Sequence, residues 1–417
     1  MAAAPELPIR RNTVLLAAAL AANSAMLQLS AAVASLTLVL VLDIRGLLGL
    51  GPAIVLASGA FAALPAGRAM DRIGRIPVLA GGFGAGAAGC ALAAAGSAAG
   101  SAALVLAGLA AVGAASGTAL LARTAAGDMY PPARRARGIA LVLFGAVFGA
   151  ILGPLVFSPL LAGRDLDGDA LAPLWLAGAG FMLVGLALVL AVRPDPRRIA
   201  ALLARAARGG EHGDDTAPPP AAPLRELLRR PGVIPALLAA QASFAVMVGV
   251  MTLTGAVVVD HFDHPAQHVF PIIGAHVVGM YALVIVVGDV IDRIGRTPSL
   301  AGGLVLMAVS VISLLWIQSV TATATALFGL GLGWNLSFVA ATAELADRTE
   351  AWERGKLLGF NDFLSALTGA ALALAGGVAL TGLGVAALAV GGAALVLGPA
   401  LWILRDGRAV AVAVRRG

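Results

Sequence analysis

The sequence predicts an all-α polytopic membrane protein with twelve transmembrane helices in two pseudo-symmetric six-helix bundles. Three observations lead to this fold class. Long apolar runs with little charge recur along the whole chain, one charged motif occurs twice, and a single long polar segment divides the chain. Charged residues make up only 12% of the 417 residues, about half the ~25% of soluble domains. Such a chain has too little polar surface for a water-soluble globule.

Each apolar run is long enough for the ~20 residues that cross a bilayer as a helix. The first run follows Arg10 and Arg11 and continues far beyond the ~7–15 apolar residues of a signal peptide, so it is predicted to be an uncleaved span. The polar segment separates six spans from six. The predicted domains are an N-terminal bundle at 1–192, a cytoplasmic linker at 193–230 and a C-terminal bundle at 231–417. The twelve predicted spans are residues 13–42, 46–66, 77–96, 102–126, 138–162, 172–192, 233–259, 269–288, 298–317, 322–345, 357–380 and 385–404.

The basic residues are distributed unevenly between the loops. With the N-terminus inside, 25 of the 28 Lys and Arg residues fall in inside loops and tails, one lies in span four and two lie outside. This bias orients a membrane protein with its positive loops in the cytoplasm. Both termini are therefore predicted to be cytoplasmic, with the chain in the inner (plasma) membrane of the cell. We call this predicted cytoplasmic side the inner side and the opposite side the outer side. Basic residues scattered over short loops do not indicate nucleic-acid binding.

A charged motif occurs twice, as GRAMDRIGRIP at 67–77 and as GDVIDRIGRTP at 288–298. The two copies align without a gap, Gly67 with Gly288 and Pro77 with Pro298, and the offset between them is about half the chain. Both lie on the inner side, after spans two and eight. Basic residues alone would orient the helices, but the aspartate and glycines at fixed places favour a tight turn that carries one negative and two positive groups.

The segment GRAMDRIGR resembles the signature of the loop between spans two and three in the major facilitator superfamily of secondary transporters. The resemblance covers the whole chain, because that family has twelve spans in two halves and a weaker copy of the loop after span eight. It implies a transporter that works by alternating access, with a charged latch on the inner side. The latch is made when the carrier opens outward and broken when it opens inward.

The resemblance also implies the contacts of the latch. Asp71 approaches the start of span eleven, and Arg75 pairs with Asp128 at the inner end of span four. By pseudo-symmetry, Asp292 faces the start of span five, and Arg296 reaches Glu344 or Asp347. The predicted latch residues are Gly67, Asp71, Arg72, Gly74, Arg75, Asp128, Asp292, Arg293, Arg296, Glu344 and Asp347.

Span five contains a glycine at every fourth position, Gly145, Gly149 and Gly153, followed by Pro154. Such spacing gives a smooth helix face on which another helix packs closely, although small residues are frequent throughout this chain. The pattern resembles the motif of the family's antiporters, but the two glycines that follow in the family are absent. This resemblance implies a proton-coupled exporter of drugs or small amphipathic metabolites. The alternatives are an importer (a proton symporter) and an uncoupled facilitator of a small organic solute.

Polar side chains inside the spans are costly in lipid and normally face the cavity of a carrier. Each neutral one is alternatively an interhelical hydrogen-bonding or packing residue. Proton coupling needs a group that gains and loses a proton as access alternates. The drug exporters' arginine early in span four and acid in span one have no counterpart here, and only Asp362 and His276 titrate readily near mid-membrane. The predicted substrate-cavity residues are Asn23, Gln28, Gln241, Trp334 and Asn335.

The chain carries no paired intramembrane carboxylates, nucleophile motif or phosphate-binding loop, so it is predicted not to be an enzyme and to need no cofactor. Its single cysteine, Cys90, excludes a disulfide framework and a cysteine-built metal site. The outer segment DHFDHPAQH at 260–268 contains metal-ligand residue types, but Pro265 disrupts a continuous helix, and a solvated loop is expected rather than a metal site. The expected partners are a small-molecule substrate, the lipid bilayer and coupling protons, with the protein acting as a monomer.

Cysteine labelling tests the predicted orientation. In a Cys90→Ala background, we expect a cysteine at Gly213 to react with a membrane-impermeant maleimide only from the inner side. A cysteine at Gly168 is expected to react only from the outer side, because an odd number of spans separates the two positions. Labelling of both positions from the same side would contradict the arrangement in two six-span halves.

Overall fold

The computed structural model describes residues 7–42, 48–131, 135–163, 168–207, 222–317, 319–349 and 353–416, and these residues form helices and no strand. A π-helical turn at Val257–His261 and a 3₁₀ turn at Ala266–His268 lie between two of the helices. The first half contains α1 (Ile9–Leu42), α2 (Leu50–Ile73), α3 (Arg75–Ala98), α4 (Ala102–Ala119), α5 (Ala122–Asp128), α6 (Arg135–Leu161), α7 (Gly168–Leu190) and α8 (Pro196–Ala207). The second half contains α9 (Leu224–Arg229), α10 (Val233–Ala256), α11 (Val269–Tyr281), α12 (Val284–Ile294), α13 (Arg296–Ser313), α14 (Val320–Asp347), α15 (Arg354–Leu383) and α16 (Val385–Arg416).

Within the described residues, 11 helical stretches are long and apolar enough to cross a membrane. They match eleven of the twelve predicted spans, with α4 and α5 together forming span four. Predicted span eight is divided into α11 and α12 around Ala282 and Leu283, so that neither piece reaches 18 residues. The break precedes VIVV at 284–287, a run of β-branched residues that lose rotamer freedom in a helix. The predicted fold class is confirmed, with its eighth helix broken.

The internal repeat seen in the sequence is also present in the packing of the helices. In the first half, α3 packs against α4 and α7; in the second half, α13 packs against α14 and α16. Arg75, the first residue of α3, aligns with Arg296, the first residue of α13, at the offset that relates the two charged motifs. At the same offset, the starts of α4 and α7 fall within a few residues of the starts of α14 and α16. A shared order of helices with a shared set of neighbours is what two similar halves require.

By its internal contacts the chain divides into two compact units. The N-terminal unit comprises Met1–Leu29, Ser58–Leu160 and Asp167–Ala217, and the C-terminal unit comprises Ser30–Ala57, Leu161–Leu166 and Pro218–Gly417. The outer part of α1 and the first turns of α2 thus belong by contact to the C-terminal unit. In this region the division by contacts differs from the predicted N-terminal bundle at 1–192. The predicted domains, which are consecutive stretches of the sequence, remain a prediction.

The outer part of the C-terminal unit is held together by close backbone contacts at glycines. A Cβ atom on Gly49 would overlap the backbone of Ala373, and one on Gly377 would overlap Gly49. A Cβ atom on Gly255 would lie 2.5 Å from the carbonyl oxygen of Ala32. Buried side chains fill the space around these contacts: Leu48, Leu253, Ala256, Val257, Leu380 and Leu388. We call these glycine contacts, together with the side chains around them, the outer seal. Helices approach this closely in membranes where small residues allow it.

Candidate substrate cluster and charged loops

Both copies of the charged motif form a helix-to-helix turn centred on a glycine. Gly74 joins α2 to α3 with φ of 103°, and Gly295 joins α12 to α13 with φ of 91°. L-residues with side chains rarely adopt such φ values. In each turn the glycine N–H closes the preceding helix, by donating to the carbonyl oxygen of Met70 in the first copy and of Ile291 in the second. The repeated glycine therefore lets the chain reverse without a loop.

The arginine after each glycine forms an ion pair at the inner end of the next span. Nε of Arg75 lies 2.8 Å from Oδ2 of Asp128, and both side chains are largely buried, at 13% and 22% exposure. Nε of Arg296 lies 3.3 Å from Oδ2 of Asp347, with exposures of 32% and 56%. The sequence left two acids open for Arg296, and the structure places it on Asp347.

The remaining predicted latch residues have separate environments. Glu344 accepts hydrogen bonds of 2.9 and 2.6 Å from the guanidinium of Arg348, one turn further along α14. Gly67 lies within α2, and Arg293 is exposed at the end of α12. The side chains of Asp71 and Asp292 lie outside the described part of the structure, so their predicted contacts with spans eleven and five are not described.

An aspartate that the sequence analysis assigned to the linker is fixed to the first charged turn. Oδ2 of Asp195 accepts a hydrogen bond of 2.9 Å from the backbone N–H of Ile76, in the first turn of α3. Its Oδ1 accepts 2.8 Å from the N–H of Arg197, and Nη1 of Arg197 donates 2.9 Å to the carbonyl oxygen of Arg72. Asp195 thus satisfies free N–H groups at the starts of both α3 and α8. An aspartate followed by proline at a helix start was the available signal.

The every-fourth glycines of span five lie against α1. A Cβ atom on Gly145 or Gly149 would overlap the carbonyl oxygen of Ala17 or Ala21, respectively. Polar side chains of α1 bond to the same helix: Oγ of Ser24 donates 2.9 Å to the carbonyl oxygen of Ala146. This stripe of glycines therefore brings the backbones of α1 and α6 into direct contact within the N-terminal unit.

The predicted cavity residues of α1 are both buried. Nε2 of Gln28 donates 2.7 Å to the carbonyl oxygen of Gly149 and lies beside Gly153. Oδ1 of Asn23 and Oε1 of Gln28 have no hydrogen-bond partner among the described residues. Gln28 thus bonds α1 to α6, and Asn23 and Gln28 each present one buried acceptor atom.

The C-terminal unit contains a buried chain of hydrogen bonds between α10 and α15. Nε2 of Gln241 donates 3.0 Å to Oδ1 of Asn361, and Oε1 of Gln241 accepts 3.1 Å from the hydroxyl of Thr368. Both ends of the Gln241 amide are therefore used. Nδ2 of Asn361, a residue that is 1% exposed, has no partner in the described residues.

An aromatic cluster lies next to these amides. Trp334 and Phe338 of α14 are stacked, with ring centroids 5.0 Å apart and an interplanar angle of 18°. Phe244, one turn after Gln241 on α10, packs 6.4 and 6.0 Å from these two rings, and Tyr281 meets Trp334 edge-on at 6.1 Å. We call Gln241, Phe244, Tyr281, Trp334, Asn335, Phe338, Asn361 and Thr368 the aromatic–amide cluster.

Two more buried donors of this cluster are unpaired. Nε1 of Trp334 and Nδ2 of Asn335 find no acceptor among the described residues, although the two residues are only 8% and 1% exposed. Trp334 and Asn335 were predicted from the sequence, whereas the second stacked ring, Phe338, was not. The four-residue spacing of Trp334 and Phe338 on one helix face would have indicated it.

The two predicted proton-coupling residues lie on different helices of the same unit. Nδ1 of His276, a fully buried residue of α11, lies 2.8 Å from the carbonyl oxygen of Leu327. A carbonyl can only accept, so Nδ1 carries the proton and Nε2 of the neutral ring is left as an acceptor. That Nε2 has no partner in the part of the chain that is described. Asp362 is half-buried in α15, directly after Asn361.

The outer histidine loop shows ring contacts rather than a ligand set. The rings of His264 and His268 lie 6.1 Å apart, edge to face. Within the described ranges, no group of three or more His, Cys, Asp or Glu side chains is placed to hold a metal ion.

Repeated apolar helices, charged inner turns and a buried polar cluster define a polytopic membrane transporter rather than an enzyme. The family model of the Major Facilitator Superfamily matches residues 13–373. The chain belongs to this superfamily.

Relatives and solved structures agree with this assignment. The MFS-type transporter YdeG of Bacillus subtilis (strain 168) is 32% identical over 334 residues, covering 78% of this chain and 75% of that protein. The riboflavin transporter RfnT of Brucella anthropi is 34% identical over 262 residues, 61% of this chain and 59% of that protein. The fold is similar to that of the inward-open xylose transporter XylE from E. coli, with a TM-score of 0.73 and 17% identity over 95% of this chain and 96% of that chain.

The two equivalent ion pairs allow a matched measurement. We expect Arg75→Ala and Asp128→Ala to be non-additive, with a coupling energy of about 1 kcal/mol in a double-mutant cycle, because the pair is short and largely buried. The more exposed Arg296 and Asp347 pair should give at most about 0.3 kcal/mol. The free energy of unfolding, measured by SDS titration, reports both cycles. Equal coupling in the two halves would contradict the ranking by burial.

Proposed function

We propose that this superfamily transporter exports small amphipathic solutes by alternating access in exchange for protons. The proposed class of substrate rests on the aromatic–amide cluster. It combines stacked rings with buried hydrogen-bond donors that have no acceptor among the described residues. A site of this kind is typical of a ligand pocket, where apolar walls carry a few placed polar groups.

The unpaired donors indicate what the solute presents. A buried donor without a partner destabilises the protein by about 1–3 kcal/mol, and a bound acceptor would remove that cost. The three donors are the indole N–H of Trp334 and the amides of Asn335 and Asn361. A solute with a flat apolar body and carbonyl or ring-nitrogen acceptors would match both the rings and the donors. The riboflavin transporter among the relatives is named for a solute of that type, which supports this substrate class.

Export is supported by the glycine stripe of α6, which resembles the family's antiporter motif. The stripe lies directly on α1 in the N-terminal unit, so it fixes the packing of a helix that carries the buried acceptors of Asn23 and Gln28. The contacts between α6 and α1 do not by themselves distinguish an exporter from an importer or a facilitator. Direction is therefore assigned by the transport experiment below.

The inner charged turns are proposed to act as the latch. In this proposal, the pairs made by Arg75 and Arg296 brace each turn, while Asp71 and Asp292 make the contacts that change with the state. Removing an aspartate would then alter the balance between states and leave insertion intact. Ion pairs that form and break are a recognised means of coupling such transitions.

For coupling we propose Asp362 as the group that carries the proton, with His276 as the second candidate. Asp362 directly follows Asn361, a member of the aromatic–amide cluster, on α15. His276 offers Nε2 as an acceptor for a proton, because its Nδ1 is held by Leu327. Both residues belong to the unit that contains the proposed substrate site.

Substitutions of Trp334 test the substrate site. With reconstituted protein and riboflavin as the probe, we expect Trp334→Ala to raise KM about 2- to 10-fold, the value of one aromatic stacking contact. Trp334→Phe should give a KM between those of the wild-type protein and Trp334→Ala, because it keeps the stack and removes the donor. Trp402→Ala, at a half-exposed position of α16, is the matched control and should leave KM unchanged. Equal KM for Trp334→Ala and the control would contradict the proposed site.

Uphill transport tests coupling and direction. In liposomes with an imposed pH gradient, the wild-type protein should accumulate substrate on the side from which protons leave. We expect Asp362→Asn to abolish this accumulation but to retain substrate exchange without a gradient, since binding and alternation persist. His276→Gln is measured in parallel. Accumulation by both variants would contradict coupling through these groups and indicate another coupling group or ion. Absence of accumulation by the wild-type protein would indicate a facilitator, and accumulation on the side that protons enter would indicate a symporter.

A further inference from the structure

An open surface cavity of about 790 Å³ lies at the inner end of α10, apart from the proposed substrate site. Its walls are of two kinds. Leu224, Leu228, Ile234 and Pro235 form an apolar floor, and Arg225 and Arg229 provide positive charge. Neither arginine has an acidic partner among the described residues, and both are exposed. We propose that this cavity binds an anionic phospholipid of the bilayer.

The short helix α9 presents this surface because of its spacing. Arg225 and Arg229 lie four residues apart and so occupy one face, while Leu224 and Leu228 form the adjoining stripe. The acid of this helix, Glu226, is exposed and does not line the cavity. The face that meets the cavity is therefore positive beside apolar, which matches a phosphate next to acyl chains.

Contacts on the buried side of α9 and at its C-terminal end fix the shape of the cavity. Leu227 is fully buried against Val233, Leu237, Leu345 and Leu357. Arg230 forms a bidentate pair with Glu353, at 2.6 and 3.0 Å, and donates 3.0 Å to the carbonyl oxygen of Arg348. The charge of Arg230 is thereby matched within the protein, which leaves Arg225 and Arg229 as the positive charges available to a ligand.

The position of the cavity identifies the bilayer as the source of the ligand. The apolar span that contains α10 begins at Val233, and Arg225 and Arg229 precede it by eight and four residues, so we expect them at the level of the lipid phosphates. Ile234 and Leu238, one turn apart on α10, are 41% and 43% exposed and continue the apolar floor into the hydrocarbon. Basic pockets at the cytoplasmic ends of helices attract anionic headgroups. A free phosphate would use the arginines and leave the apolar floor uncovered.

The experiment uses the full chain in detergent, with dioleoylphosphatidylglycerol and dioleoylphosphatidylcholine at equal concentration, and native mass spectrometry to count bound lipids. We expect the wild-type protein to retain phosphatidylglycerol preferentially. Arg225→Gln combined with Arg229→Gln should weaken this preference by roughly fivefold per arginine, or about 25-fold in total. Arg225→Lys with Arg229→Lys should keep it, because the charges remain.

A control pair removes the same charge elsewhere. Arg10→Gln with Arg405→Gln changes two exposed arginines on α1 and α16 and should retain the wild-type preference. Size-exclusion profiles and Tm verify that all variants are folded. Equal retention of the two lipids by the wild-type protein, or an unchanged preference in the Arg225 and Arg229 glutamine pair, would overturn the proposal. Binding of glycerol 3-phosphate as tight as that of the lipid would also overturn it, because the apolar floor would then contribute nothing.

Discussion

The central constraint on this chain is that a polar group without a partner costs several kcal/mol in hydrocarbon. The hydroxyl side chains show how the chain meets this constraint. Thr37, Thr118, Thr252 and Thr254 each donate to the carbonyl oxygen four residues earlier in their own helix. Most hydroxyls are thus satisfied locally and carry no information about neighbouring helices. The buried polar atoms without a partner among the described residues are the exceptions, and the donors of Trp334, Asn335 and Asn361 belong to them.

The parts of the fold that depend on local sequence could be predicted. Long apolar runs define spans without reference to their neighbours, and the charged motif, repeated in register about half a chain later, revealed the two halves. The break in span eight was not predicted, because the β-branched run that follows it at 284–287 is a weaker helix-breaking signal than a proline. Asp195 was missed because proline and charge around it resemble a linker, whereas its role depends on α3 lying nearby. Phe338 could have been predicted from its four-residue spacing to Trp334, whereas Thr368 joins the cluster from another helix and only packing brings it there.

The two copies of the charged motif show that similar sequence does not give similar environments. The first turn is braced by the buried pair of Arg75 and Asp128 and by the carboxylate of Asp195 at the start of α3. The second has a longer, more exposed pair, and the residue that aligns with Asp195 at the offset of the two motifs is Arg416. Among the described contacts, the ion pair of the first turn is therefore shorter and more buried than that of the second. A pseudo-symmetric transporter can in this way make one of its two equivalent junctions easier to rearrange.

The outer seal has a consequence for how such genes diverge and recombine. The contacts of Gly49 and Gly377 are between main chains, so they tolerate almost no change in side-chain size at either position. One partner is encoded early in the gene and the other near its end. A chimaera that joins the first half of one transporter to the second half of a relative would inherit these two surfaces from different ancestors. Residues 30–57 should thus be co-inherited with the second half of the chain, even though the linker offers an obvious place to exchange the halves.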